Sequence, residues 1–424
     1  MLSRRELLMS AAVTAAFRND TLSLIEKLLL GSTTAATGAP DDEDFWAGIR
    51  QAFVLDPNIV NFNNGGCAPS PRVVQDVLRR QIEYSNQAPS FYMWRNLEPE
   101  IEAVRRRLAL AFGCDGEEIA ITRNASEALE ICLTGIDLSS GDEVLTTTQD
   151  YPRMITTIKQ RERREGIKLV QVRVPAAPKT TAELVQAFER GITPKTKMML
   201  VSQVVFLTGQ IYPVREICLL GKKHGIPVIV DGAHAFAQFP FTDKELECDF
   251  YGCSLHKWLM APIGTGFLHV KKDKIAGLWP LMAANPEQDK DIRKFEEIGT
   301  HPAANHNAIG EALNFHEMLG PDRKAARLRF LRKRWTDRLA EEPKVEFHTN
   351  LSPRFSCGIC TVEIKGIEPD KLQTWLFEKH GIFATAIVHE DFKGVRISPS
   401  VYTSLSEIDR FGDAMLGACR NGIS

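Results

Sequence analysis

The chain has 424 residues, a length that predicts two domains, because single domains usually run to roughly 100–200 residues. Lys and Arg (52) nearly balance Asp and Glu (54), for a formal net charge of −2, so no global field recruits nucleic acid or an anionic membrane; the expected partner is a small molecule. The nine cysteines (67, 114, 132, 218, 248, 253, 357, 360 and 419) lack the paired spacings of a zinc site or a disulfide framework, so no metal is expected and most read as small buried residues. Cys357 and Cys360 share a strand-like run, whose alternation sends their sulfurs to opposite faces.

In chain order, residues 1–40 read as a leader and linker. Ser3-Arg4-Arg5-Glu6-Leu7-Leu8, followed by an apolar stretch over 9–17, resembles a twin-arginine export signal and predicts a periplasmic or exported protein. Arg18, Asn19 and Asp20 interrupt that stretch, and the alternative is an amphipathic leader helix on a cytoplasmic protein. Neither apolar stretch here is long and apolar enough to span a bilayer, so no stable membrane association is expected. The small, polar run over 31–44 is a linker, and folding begins near Asp44. Residues 41–70 are expected to pack as an N-terminal segment on the smaller domain.

Over 71–320, short apolar runs alternate with amphipathic segments, the pattern of an α/β domain with a mostly parallel sheet flanked by helices. Strands are predicted at 118–122, 143–147, 168–172, 198–203, 228–231 and 266–270, with helices at 126–134, 154–165, 181–190 and 214–224. After about 321 the pattern changes. A basic helix over 323–339, a strand over 358–364 and a helix from Ser406 predict a smaller C-terminal α+β domain over 321–424.

Ligands of open parallel sheets bind at the carboxyl ends of strands, so the residues just past each strand are read for function. In Thr122-Arg-Asn124-Ala125-Ser126-Glu127 a strand gives way to a helix whose amino end suits a phosphate; the plain alternative is a serine N-cap. After the next strand, Tyr151 could lie over a flat heterocycle or simply pack on the sheet. The apolar strand ending in Asp231-Gly-Ala-His234 buries an acid, which needs a cation or donors; a protonated pyridinium nitrogen would pair with it, and a turn-capping acid is the alternative. In Ser254-Leu-His256-Lys257-Trp258, followed by a glycine-containing turn, Lys257 is a candidate for a desolvated amine that stays nucleophilic toward an aldehyde.

That order of phosphate cup, aromatic, strand-end acid and Ser-x-His-Lys resembles the class V aminotransferase family within the fold-type I enzymes that use pyridoxal 5'-phosphate (PLP), and in particular its isopenicillin N epimerase-like branch. The resemblance covers roughly residues 61–411 and is most specific between Asp231 and Lys257. It implies that Lys257 carries the cofactor as an imine, Asp231 bonds the pyridine nitrogen and His234 contacts the ring hydroxyl. It further implies that Ala125, Ser126, Ser254 and His256 hold the phosphate and Tyr151 stacks on the ring. The segment ending in Gly299-Thr300 would reach the phosphate of a neighbouring subunit, which implies a homodimer with shared sites. Arg396 would grip the substrate carboxylate, and Asn63, Asn64, Tyr92 and Arg95 are candidate pocket residues, with ordinary loop packing as the alternative.

Two departures stand out. The stretch 384–390 lacks the reactive cysteine of desulfurase relatives, so persulfide chemistry is not expected; the stretch 201–210 leaves one ring contact unassigned. The expected activity is chemistry at the α-carbon of an amino acid, with transamination first and epimerisation or elimination as alternatives. A catalytically inactive exported binding protein is the competing reading. A nicotinamide enzyme is disfavoured because no Gly-x-Gly-x-x-Gly run opens a helix after the first strand.

Overall fold

The computed structural model describes residues 38–423, so the leader and its export signal lie outside the described residues. The chain enters through α1 (Glu43–Arg50), where the Asp42 side chain accepts the Phe45 N–H and fixes the first turn. Strand β1 (Val60–Asn61) follows, then α2 (Arg72–Asn86) and α3 (Glu98–Phe112). The large domain continues through β2 (Ile119–Thr122), α4 (Ala125–Gly135), β3 (Glu143–Thr147), α5 (Pro152–Glu165), β4 (Lys168–Val172) and α6 (Thr181–Gly191). It is completed by β5 (Thr196–Ser202), α7 (Val214–His224), β6 (Val228–Asp231), β7 (Phe250–Ser254), β8 (Gly266–Val270) and α8 (Ala303–Leu319).

These strands form one seven-stranded sheet in the order β2-β8-β7-β6-β5-β3-β4. Strands β3 to β7 pair in parallel, whereas β8 lies antiparallel between β2 and β7. A parallel neighbour needs a long crossover, and the short turn after Ser254 can only reverse the chain. The antiparallel pairing was not predicted from sequence. Side chains of β6 alternate between two cores, Val228 and Val230 facing one and Ile229 the other, because both sheet faces are covered by helices.

The C-terminal domain consists of α9 (Pro321–Leu339), β9 (Val345–Phe347), β10 (Cys360–Ile364), α10 (Pro369–His380), β11 (Ile382–Phe383), β12 (Thr385–Val388), β13 (Lys393–Ile397) and α11 (Leu405–Asn421). Its antiparallel sheet runs β12-β13-β10-β9 and shares a core with α9, α10 and α11 around Trp335, Leu376 and Phe411. Strand β1 pairs in parallel with β11, and Phe62 joins the same core, so the entering segment is stitched to this domain. Cys357 lies in the large-domain core and Cys360 in the small-domain core, which separates the two sulfurs. No helix among the described residues is long and apolar enough to cross a membrane.

Candidate active site

The carboxyl ends of β5, β6 and β7, the amino end of α4 and the edge strand β12 of the small domain enclose a cavity of about 600 Å³. At the first wall, the cap of α4 is Asn124, whose Oδ1 accepts the Glu127 N–H at 2.9 Å, and not Ser126. The Ala125 N–H donates to Ser254 Oγ at 2.9 Å, which ties the end of β7 to the helix. Within this first turn, only the Ser126 N–H and hydroxyl are then left to meet a ligand, at the positive end of the helix dipole. Ala125, Ser126, Ser254 and His256 all line the cavity, and His256 Nδ1 is buried without a partner.

At the opposite wall, β6 ends on Asp231, 7% exposed, whose Oδ1 accepts the Ala233 N–H at 2.9 Å. No other hydrogen bond reaches that carboxylate among the described residues, and burial raises its pKa to about 6. Such an acid is held in readiness for a cation, since ionising it alone in the interior is costly. His234 follows on the same turn and places Nε2 3.1 Å from Lys257 Nζ. Burial, with the nearby charges of Lys257 and Arg396, pushes the His234 imidazole well below its ordinary pKa, so it stays neutral and accepts from the amine; its Nδ1 is buried and unpartnered. Burial likewise pulls Lys257 down to about 8, partly offset by Asp231.

Tyr151 lines the cavity as the residue before α5, 40% exposed and edge-on to Phe206 with ring centroids 5.3 Å apart. Its neighbour Asp150, overlooked in the sequence, organises this corner. The Asp150 carboxylate accepts from the Thr146 and Thr147 hydroxyls, the Thr147 N–H, and the N–H and hydroxyl of Ser202, bolting β3 to β5. The signal available in sequence was only a Thr-Thr-Thr-Gln-Asp run after a strand, which any turn shares. In the stretch 201–210, Gln203 turns away to accept the Tyr251 hydroxyl at 2.8 Å, while Ser202, Val204, Phe206 and Leu207 line the cavity.

Arg396 enters from β13, 5% exposed, and donates to the Phe206 carbonyl at 2.7 Å and to Asn63 Oδ1 at 2.6 Å. It makes no ion pair among the described residues, and burial pulls its pKa down to about 10. Asn63 thus acts through Arg396. Asn64 serves the scaffold: fully buried, it donates to the Asn61 and Ser398 carbonyls and accepts the Tyr402 hydroxyl. Arg95 and Tyr92 sit on the helical segment before α3 and do not line this cavity, and Arg95 and Thr300 are both exposed. A proximity in sequence to polar loops could not separate these cases. Strand β12 supplies Thr385, Ala386, Ile387 and Val388 to the wall, and no cysteine lines it.

The arrangement fits PLP on its own terms. The unclaimed Ser126 donors suit a phosphate, the one-bond Asp231 a protonated ring nitrogen, the unpartnered imidazoles ring substituents, and the desolvated Lys257 an aldehyde. The description "Aminotransferase class-V" matches residues 59–411. The chain is 30% identical to isopenicillin N epimerase of Streptomyces clavuligerus over 87% of this chain and 97% of that one. It is 22% identical to hercynylcysteine sulfoxide lyase of Schizosaccharomyces pombe over 85% and 94% of the two chains. Among solved structures, a C-DES mutant with glycine covalently linked to its PLP cofactor superposes with a TM-score of 0.76 at 23% identity, covering 86% of this chain and 98% of that one. The apo cysteine desulfurase of Thermococcus onnurineus NA1 gives a TM-score of 0.75 at 21% identity, covering 89% and 97%. With its sheet, its strand-end residues and these relatives in agreement, the chain belongs to the class V aminotransferase family, and its cofactor is pyridoxal 5'-phosphate.

Proposed function

We propose that this chain transaminates a small amino acid by moving the proton at its α-carbon. The observation that carries the reading is Arg396, a buried guanidinium on the cavity wall with no ion-pair partner among the described residues, so that a substrate carboxylate supplies the missing anion. When bound, PLP draws electrons from the α-carbon and stabilises the charge left when one of its bonds breaks. Asp231 would keep the ring nitrogen protonated, and Ser126, Ser254 and His256, which line the cavity, would hold the phosphate. Lys257, with a pKa near 8, exists in part as a neutral amine at neutral pH and accepts the α-proton at Nζ. His234 Nε2, 3.1 Å away, accepts a hydrogen bond from that amine and orients it. With Lys257 as the base and the neutral His234 only orienting it, the amine that takes the proton also returns it from the same flank. Single-flank delivery favours transamination over epimerisation.

Epimerisation is the second reading, supported by the 30% relation to isopenicillin N epimerase and by Tyr151, whose hydroxyl offers a second proton donor on the wall. The lyase relative keeps elimination as the third outcome, while the absence of cysteine from the stretch 384–390 speaks against persulfide formation. Holoenzyme incubated with single amino acids in D2O discriminates these. Keto acid formed with a 2-oxo acid acceptor supports transamination, α-deuteration with loss of chirality and no keto acid indicates epimerisation, and ammonia release with β-substituent loss indicates elimination. Yellow holoenzyme that exchanges no α-proton would leave only a binding protein. We further propose a homodimer, in which the exposed Thr300 meets the neighbouring subunit's phosphate site, and export through the twin-arginine leader. Sedimentation equilibrium and cell fractionation test these two.

A further inference from the structure

The antiparallel β8 runs away from the active site. Gly266 lies beside Thr122 and Ser254 at the cavity end, whereas His269 pairs with Ile119 and Tyr251 toward the far end of the sheet. His269 is completely buried, and neither ring nitrogen has a hydrogen-bond partner. Phe112 packs against the ring at 5.3 Å between centroids, Lys271 acts on it from nearby, and the remaining polar neighbours are acids and thiols. Asp243 Oδ1 is 3.7 Å from Nδ1, Glu118 Oε2 is 3.9 Å from Nε2, and Cys248 Sγ is 4.0 Å from Asp243 Oδ1. Ligand atoms of Asp243, Cys248 and His269 all lie within 4.8 Å of one another. Cys114 and Glu118 form a second such group on the other nitrogen.

Separations of 3.7 and 3.9 Å are too long for hydrogen bonds, so both ring nitrogens of the buried His269 are left unsatisfied beside two carboxylates. The geometry matches another use. Zinc bonds of about 2.0–2.3 Å to N, O and S place tetrahedral ligand atoms roughly 3.3–3.8 Å apart. The Asp243–His269 separation of 3.7 Å already falls in that range, and the Asp243–Cys248 separation of 4.0 Å lies just beyond it, so the three groups would draw together around the ion. Glu118 is already engaged by the Lys272 N–H at 3.0 Å and the Asp115 N–H at 3.3 Å, which suits it to orienting the histidine rather than binding the ion.

We propose that Asp243, Cys248 and Nδ1 of His269 bind a structural zinc ion at the end of the sheet opposite the cofactor, with Glu118 accepting the N–H of His269 Nε2. A thiolate and a carboxylate offset the double charge, and thiolate with imidazole selects zinc over magnesium or calcium. The Cys248 thiol gives its proton to solvent as the zinc–sulfur bond forms, and water reaching past the partly exposed Asp243 completes the coordination. A carboxylate behind a zinc-bound histidine fixes its tautomer, which is the place Glu118 occupies. The ion clasps the turn between β6 and β7 to β8.

The test uses the purified holoenzyme, stripped with a chelator and dialysed against zinc chloride. One zinc per chain by elemental analysis, a sulfur ligand at about 2.3 Å in the zinc-edge X-ray absorption spectrum and a raised thermal midpoint are expected. Asp243→Asn and Cys248→Ser should each weaken zinc binding at least tenfold, and Glu118→Gln about tenfold, with the visible spectrum of the bound cofactor unchanged. Asp243 is only half-buried, so its variant keeps the test decisive where the buried cysteine variant fails to fold. Substoichiometric zinc, zinc without a sulfur ligand, or zinc retained in full by Asp243→Asn, as binding at His389, Glu390 and Asp391 would give, overturns the proposal.

Discussion

Two aspartates close strands of the same sheet at nearly equal burial, Asp150 at 4% exposure after β3 and Asp231 at 7% at the end of β6. They do opposite work. Asp150 accepts five hydrogen bonds from Thr146, Thr147 and Ser202 and is finished as a structural bolt. Asp231 accepts one, from the Ala233 N–H, and faces the cavity with its remaining capacity unspent. The lesson is that the number of internal donors, rather than the residue type or the depth of burial, separates an acid that holds the fold from one that holds a ligand.

The comparison can be broken or sharpened by substitution. The largest effect belongs to Lys257→Ala, which should abolish the borohydride-reducible adduct and lower turnover by about 10³-fold or more, the scale of losing a positioned base together with covalent attachment. An adduct mass found elsewhere by peptide mapping would remove the centre of the site. Asp231→Asn should lower kcat by about 10²-fold while the urea midpoint barely moves, since the lost charge matters only once the ring is bound. Asp150→Asn should do the reverse, costing about 2 kcal/mol in urea unfolding because an amide meets donors where an acceptor stood, with kcat per folded molecule nearly preserved. If the two aspartate variants behaved alike, the contrast between bolt and ligand would be wrong.

Arg396→Lys should raise KM about tenfold with a smaller change in kcat, because a point charge replaces a two-pronged carboxylate grip. Steady-state kinetics with a substrate and its decarboxylated amine checks this; the amine should be indifferent to the substitution. The smallest effect is one of pH. Burial lowers the Lys257 pKa from 10.5 to about 8, so the neutral, attacking form accumulates as pH rises through about 8 rather than through 10.5. Covalent uptake of PLP by cofactor-free protein, followed by absorbance, should therefore speed up about tenfold per pH unit below 8 and level off above it. A continuing rise toward pH 10 would mean that the amine is solvated.

Much of this was legible in residue order. The bounds of β3, β4, β6 and β8 coincide with the runs predicted at 143–147, 168–172, 228–231 and 266–270; β6 and β8 are buried throughout and read as apolar stretches, while the edge strand β4 mixes polar and apolar residues. Asp231, His234 and Lys257 lie close enough along the chain that one strand–crossover–strand unit, β6 to β7, presents all three. The cap of α4 was less legible. Asn124 and Ser126 are both good cap formers, and only the backbone φ and ψ at Asn124 decide between them. Asn63 and Asn64 are adjacent and chemically identical, yet the chain passes from an isolated bridge at Asn63 into a turn at Asn64, which sends one toward Arg396 and the other into the Ser398 and Tyr402 network. The cluster of Glu118, Asp243, Cys248 and His269 shows no motif spacing, because its members arrive from separate elements.

Local periodicity and turn chemistry thus determined the α/β class, the order of elements and the strand-end residues that line the candidate site, because each is written within a few consecutive positions. Tertiary structure alone decided the antiparallel insertion of β8, the donor count at each buried acid and the pairing of Arg396 with Asn63. Those depend on which distant segments share a surface, and a linear sequence carries no direct record of which groups become neighbours once water has been excluded.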